Sequence, residues 1–243
     1  MMLSLLLACG GPPADLWVDN SGHTDDPVVE DTDEACADLS PCPCDMVPVP
    51  GGINWRFCID RYEATVDGDF GNYDQGTNYP DGSTTATAVA VVNVKPTIHV
   101  SWYQAYAACR NSGKHLCTVD EWTDACDGVN GEGGNSYPWG ETPEPTVNCA
   151  VANADGTTVW ADMQPAGSLV NCTGPGGVFD LMGNVWEWVD SGITDENGVP
   201  VPGKVGGAYY AGYNNAHCGF GPHLEHTPDF EATIGVRCCA DLQ

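Results

Sequence analysis

The sequence predicts an α+β domain with little regular secondary structure, held together by disulfides. Three observations carry this. First, 30 Gly and 18 Pro accompany a 42% apolar content with 8 Trp and 9 Tyr in 243 residues. That composition supplies a sizeable core and many turns, and argues against a helical bundle. Second, a helical period appears in only two short segments, between residues 101 and 128. Third, there are 13 cysteines, more than a reducing compartment tolerates in a chain this size. Cys36, Cys42 and Cys44 are the one compact set. They have no His or second Cys pair behind them at ligand spacing, so bridges and not zinc are expected.

Taken in order, residues 1–9 end in Leu6-Leu7-Ala8-Cys9. This reads as a lipoprotein signal with a lipobox in which cleavage leaves Cys9 to carry lipid, although no Lys or Arg precedes the apolar stretch. Removing Cys9 leaves an even set of cysteines. Residues 10–43 hold nine acids, Asp15 to Asp38, and no Lys or Arg. Such a segment buries too little apolar surface to order itself and reads as an extended, self-repelling linker. The expected protein is therefore exported to the bacterial cell envelope, lipid-anchored at the outer membrane or secreted, with a folded domain over 44–243. It meets the membrane through the anchor alone.

Met46 to Gly52 reads as a short strand and turn, and Phe57 to Thr65 alternates as a strand does. Residues 67–86 are polar and Gly-rich, and Val89 to Val94 is an apolar run suited to another strand. Ser101 with Gln104 forms a capping box, after which Trp102, Ala105, Tyr106 and Cys109 make one stripe up to Gly113. Thr118 with Glu121 is a second capping box. Trp122, Ala125 and Cys126 form its inner face, and Gly128 stops it. Beyond residue 130 the pattern is turns and short strands.

Lys and Arg number 7 against 34 Asp and Glu, a formal charge of −27. Such a surface repels phosphate backbones and excludes nucleic acid as a partner. Clustered carboxylates suit hard cations such as Ca²⁺.

Several stretches then carry a resemblance. They are Val100-Ser101-Trp102-Tyr103-Gln104-Ala105, Gly113-Lys114-His115-Leu116-Cys117-Thr118-Val119-Asp120-Glu121-Trp122, and Tyr137-Pro138-Trp139-Gly140-Glu141. Phe179-Asp180-Leu181-Met182-Gly183-Asn184-Val185-Trp186-Glu187-Trp188 follows, with Gly206-Gly207 and Gly235-Val236-Arg237-Cys238 closing. In this order they resemble the formylglycine-generating, sulfatase-modifying enzyme family over about 200 residues. The resemblance implies a C-type-lectin-like core.

Catalytic members of that family oxidise a sulfatase cysteine with a copper-binding Cys pair and a Ser beyond the Gly-Gly. Those positions are here Ala208 for the Ser and Ala211 and Ala216 for the cysteines. Alanine neither forms a thiolate nor binds a soft metal, so neither formylglycine formation nor copper is expected. The resemblance further implies a calcium site from Asp180, Gly183, Val185 and Glu187, and a second one near Asn148 and Cys149 with Asp155 or Asp162. It also implies disulfides Cys109–Cys238 and Cys126–Cys218. Cys117–Cys239, Cys149–Cys172 and Cys44–Cys58 are expected beside them. The expected function is a monomeric, calcium-stabilised binding or structural module for a protein or glycan ligand, with Tyr209, Tyr210 and Tyr213 candidates to line its cleft. The alternative is an oxidoreductase with a relocated metal, iron for instance, on His217, His223, Glu225 or His226.

Overall fold

A computed structural model describes residues 41–51, 54–69, 84–128, 136–140, 148–219, 221–225 and 232–243. The chain divides into two units, Met1–Thr32 and Asp33–Gln243, and every described residue lies in the second. The expected signal, Cys9, Cys36 and most of the expected linker lie outside the described residues.

Strand β1 (Met46–Gly51) pairs antiparallel with β2 (Asn54–Asp60), with a register shift at Val49/Pro50. Alternation along both strands buries Val47, Val49, Phe57 and Ile59 against Trp122, Leu181 and Val189. Strands β3 (Thr65–Asp67) and β4 (Thr87–Val89) form a separate two-stranded sheet. Two expectations are corrected here. The run Phe57–Thr65 is not one strand, because the chain turns after Asp60 and resumes pairing at Thr65. The run Val89–Val94 leaves the sheet at Val89. Asn93 adopts φ +62°, and Asn93 and Val94 bond to the Ala166 backbone, so Val91, Val92 and Val94 stand exposed on a turn.

Helices α1 (Trp102–Asn111) and α2 (Val119–Asp127) begin at Ser101 and Thr118, and both capping boxes are formed. Ser101 Oγ accepts from Gln104 N (3.2 Å), and Gln104 Oε1 accepts from Ser101 N (2.9 Å). Trp102, Ala105 and Cys109 are buried as their spacing requires, and Gly113 follows the end of α1 at φ +71°. Between the helices lies β5 (His115–Leu116). The longest strand, β6 (Trp186–Thr194), pairs antiparallel with β7 (Pro200–Val205), and β8 (His223–Leu224) continues that sheet. On its other edge β6 pairs in parallel with β9 (Ile234–Gly235). Last comes β10 (Cys238–Ala240), which gives the first sheet the order β1-β2-β10-β5.

Disulfides join these pieces. Cys109–Cys238 ties α1 to β10, and Cys117–Cys239 ties the inter-helix segment to the same strand. Neighbours on a strand face opposite ways, so adjacent cysteines fasten β10 from both sides. Cys126–Cys218 and Cys149–Cys172 are also formed. Cys44–Cys58 is not: Cys58 bonds to Cys42 across a Cα separation of 5.6 Å. The reason is burial. Cys42 points into a small core with Met46 and Cys58, whereas Cys44 is exposed and pairs with no cysteine among the described residues. Among those residues no helix is long and apolar enough to cross a membrane.

Candidate functional site

The turn from Asp180 to Glu187 runs into β6 and is the most polar part of the interior. Asp180 and Asn184 both take the left-handed conformation at φ +58°. Gly183, at φ +81°, allows no side chain, since a Cβ would stand 2.2 Å from the Ala150 carbonyl oxygen.

The polar side chains of the turn, Asp180, Asn184 and Glu187, each have hydrogen-bond partners. Arg237 is fully buried; its Nε donates to both oxygens of Glu187 (3.0 and 2.9 Å) and its Nη2 to Oε1 (2.7 Å). Its remaining donors reach the carbonyls of Asp60 and Phe179, each at 2.8 Å. Trp122 Nε1 donates to Glu187 Oε2 (2.6 Å). Asp180 Oδ2 accepts from Gly167 N (2.6 Å). Glu63 accepts from Val185 N (3.1 Å) and from Asn184 Nδ2.

Three buried carboxylates, Glu63, Asp180 and Glu187, thus surround one guanidinium, a formal surplus of two negative charges. The electrostatics reflect it. Burial, then the charges of Asp180 and Glu187, holds the Glu63 carboxyl well above the usual range. Burial pushes Asp180 up to about 6, against the Gly167 hydrogen bond and Arg237. Burial also works against the charge on Arg237, but Glu187 first, then Glu63 and Asp180, hold it protonated.

This donor set fits a divalent cation in chemistry and charge. Two backbone carbonyls belong to the same turn. Asn184 N–H is bound to Ala150 (2.8 Å) and Trp186 N–H to Thr233 (2.9 Å). In a trans peptide the carbonyl points opposite its N–H, so those of Gly183 and Val185 point away from these neighbours. Among the described residues no three His, Cys, Asp or Glu side chains gather as an all-side-chain metal site. Asp155 is exposed and bonds to Thr157 N, and Asp162 faces Lys95 and Met163 N.

A second buried polar group lies nearby. Lys114 bridges Asp45 and Asp60 Oδ1 (2.7 Å), while Asp60 Oδ2 accepts from Cys238 N (2.9 Å). Burial first raises Asp60 to about 6, with Asp45 adding and Lys114 opposing. Asp60, Glu63, Lys114, Arg237 and Trp122 were not singled out as site residues by sequence reasoning. The available signal was an acid inside the apolar β2 pattern and an Arg between buried Val236 and Cys238.

Beyond Gly206-Gly207, two of the three alanines are packed into the interior. Ala208 and Ala216 are fully buried, and Ala211 is half-buried against the main core. A Cβ at Gly207 (φ +78°) would stand 2.5 Å from Ala216 Cβ and 3.6 Å from Ala211 Cβ. The two alanine methyls therefore flank one glycine, with no thiol at either. Tyr210 is exposed, edge-on to Tyr209, and its hydroxyl bonds to Thr233 (2.7 Å). Tyr213 opens a 3-10 turn and packs partly buried near Cys149–Cys172.

Among the described residues, His217, His223 and Glu225 form no group of three side chains that could hold a metal. His223 lies in β8, not in a loop, with its ring edge-on to Trp186 at 5.0 Å. Glu225 is committed to Lys204 (2.6 Å). His217 lies just before Cys218, and His226 is outside the described residues.

A disulfide-fastened α+β domain with a buried carboxylate turn leading into β6, and a double-glycine loop packed beside it, is of the formylglycine-generating-enzyme type. The chain belongs to the family of the sulfatase-modifying factor enzyme 1-like domain, whose model matches residues 17–242. It is 38% identical over 109 residues to inactive C-alpha-formylglycine-generating enzyme 2 of Bos taurus, covering 40% of this chain and 33% of that protein. It is 30% identical over 168 residues to the formylglycine-generating enzyme of Mus musculus (60% and 44%). It is 35% identical over 112 residues to hercynine oxygenase of Mycobacterium tuberculosis (46% and 24%). The chain thus spans less than half the length of these relatives. PvdO from Pseudomonas aeruginosa shares the fold at a TM-score of 0.51 and 16% identity, over 81% of this chain and 90% of that one.

Proposed function

We propose that this is a non-catalytic domain of the formylglycine-generating-enzyme type that serves as a recognition or structural module at the cell envelope, steadied by one calcium ion. The observation that carries the reading is the triad Ala208, Ala211 and Ala216, two of its members fully buried, where catalysis requires a hydroxyl and two thiols. Likeness to a relative named as inactive supports it. Calcium would be held by Asp180, Gly183, Val185 and Glu187, and would supply the charge that the buried carboxylates leave unbalanced. A protein or glycan ligand would meet the face at Tyr209 and Tyr210. Cys9 would tether the domain by lipid.

The test is metal analysis and an anaerobic copper(I) titration of purified protein, with melting recorded in calcium and in chelator. The reading expects bound calcium, no tight copper and a melting point lowered by chelation. One equivalent of tightly bound copper would sink it. Likeness to hercynine oxygenase favours a second reading, an oxidoreductase whose relocated iron rests on His217, His223, Glu225 or His226. Stoichiometric iron that disappears in a His223→Ala, His226→Ala double variant would establish that one instead.

A further inference from the structure

We infer that Glu63 is a positioning residue for the cation at the Asp180–Glu187 turn, acting through Asn184 and Val185. The inference rests on the calcium reading above. Glu63 is fully buried on the segment between β2 and β3, and the next residue is pinned through Ala64 N to the Val236 carbonyl (2.8 Å). Its carboxylate therefore reaches the turn from a fixed base.

What it holds is the centre of the turn. Asn184 gives its N–H to Ala150 and takes Tyr209 N on its carbonyl (3.0 Å). Its side-chain Oδ1 accepts from Gln164 N (2.7 Å), and Nδ2 donates to the Gln164 carbonyl (3.1 Å). Gln164 thus fixes which end of the amide is donor, so Nδ2 must present a donor to Glu63. Val185 N presents another. These two bonds hold the Asn184 side chain and the Asn184–Val185 peptide, which lies between the Gly183 and Val185 carbonyls.

Two N–H donors need only neutral acceptors. A third buried carboxylate beside Asp180 and Glu187 is an electrostatic cost that a neutral acceptor avoids. A divalent cation turns that cost into attraction, which gives the acid a reason to be an acid. Partners that orient metal ligands typically set affinity by about 10–100-fold.

The experiment compares wild type with Glu63→Gln, reading the rise in melting temperature on moving from EGTA to calcium and the calcium affinity by calorimetry. The expected result is a calcium affinity weakened by about 10–100-fold in the variant, with a correspondingly smaller rise. An undiminished rise and affinity in Glu63→Gln would overturn the inference while leaving the calcium reading intact. No calcium response in wild type would overturn both. If Glu63→Gln does not fold, hydrogen exchange at the Val185 amide of wild type decides. Slower exchange in calcium than in EGTA supports the role, and equal exchange refutes it.

Discussion

Replacing Lys114 by Met should destabilise the domain strongly, and more at pH 8 than at pH 5. The Lys114 side chain is 5% exposed and is the cation between Asp45 and the fully buried Asp60. At 2.7 Å its attraction to Asp60 is about 6 kcal/mol for an effective dielectric near 20. Methionine fills the space without the charge and leaves a buried carboxylate with the Cys238 N–H (2.9 Å) as donor. Breaking a buried pair in this way costs about 3–5 kcal/mol.

The pH dependence follows from Asp60, whose carboxyl is raised from 3.8 to about 6. A raised acid binds more protons folded than unfolded across that window. Its stability contribution is therefore present at low pH and lost as pH climbs through about 6. Removing Lys114 removes the lowering influence, so the window extends upward and the loss continues past pH 6. Guanidinium unfolding with disulfides intact, at pH 5 and pH 8, measures it. A loss under about 1 kcal/mol at pH 8, or the same loss at both values, would refute the reasoning.

Gly183→Ala should be among the most damaging single changes. It places a Cβ 2.2 Å from a backbone oxygen at φ +81°, and a cost above about 4 kcal/mol in denaturant unfolding is expected. A cost below about 1 kcal/mol would mean the turn is not rigid. Non-reducing peptide mapping of the protein should recover Cys42–Cys58 and the four other bridges. Labelling of any of these cysteines by an alkylating agent would contradict that scheme.

Much of the fold was legible because local chemistry dictated it. Ser101 with Gln104 and Thr118 with Glu121 fix both helix starts without help from tertiary structure. Alternation exposed β1 and the last part of β2, Phe57 to Asp60. It failed where long-range contacts prevail. The apolar run after Val89 becomes an exposed turn because Asn93 and Val94 bond to Ala166, about seventy residues away in sequence. The choice of Cys42 over Cys44 turns on which side chain faces a small core, and spacing alone carries no such information.

At the site, motif and turn were readable, but the counter-ions were not. Glu63, Lys114 and Arg237 come from separate segments between strands, and an isolated acid or base in a sequence gives no hint of its partner. His223 lies among Gly and Pro residues, yet pairing with Lys204 draws it into β8.

The most direct test of the central claim is aerobic incubation of the purified domain, with copper(I) and a reductant, against a sulfatase-type cysteine peptide. Mass spectrometry then reads conversion of the cysteine to formylglycine. The buried alanines at 208 and 216, with Ala211 beside them, predict no conversion above a protein-free control. Repeated turnover by the wild-type chain would contradict the account.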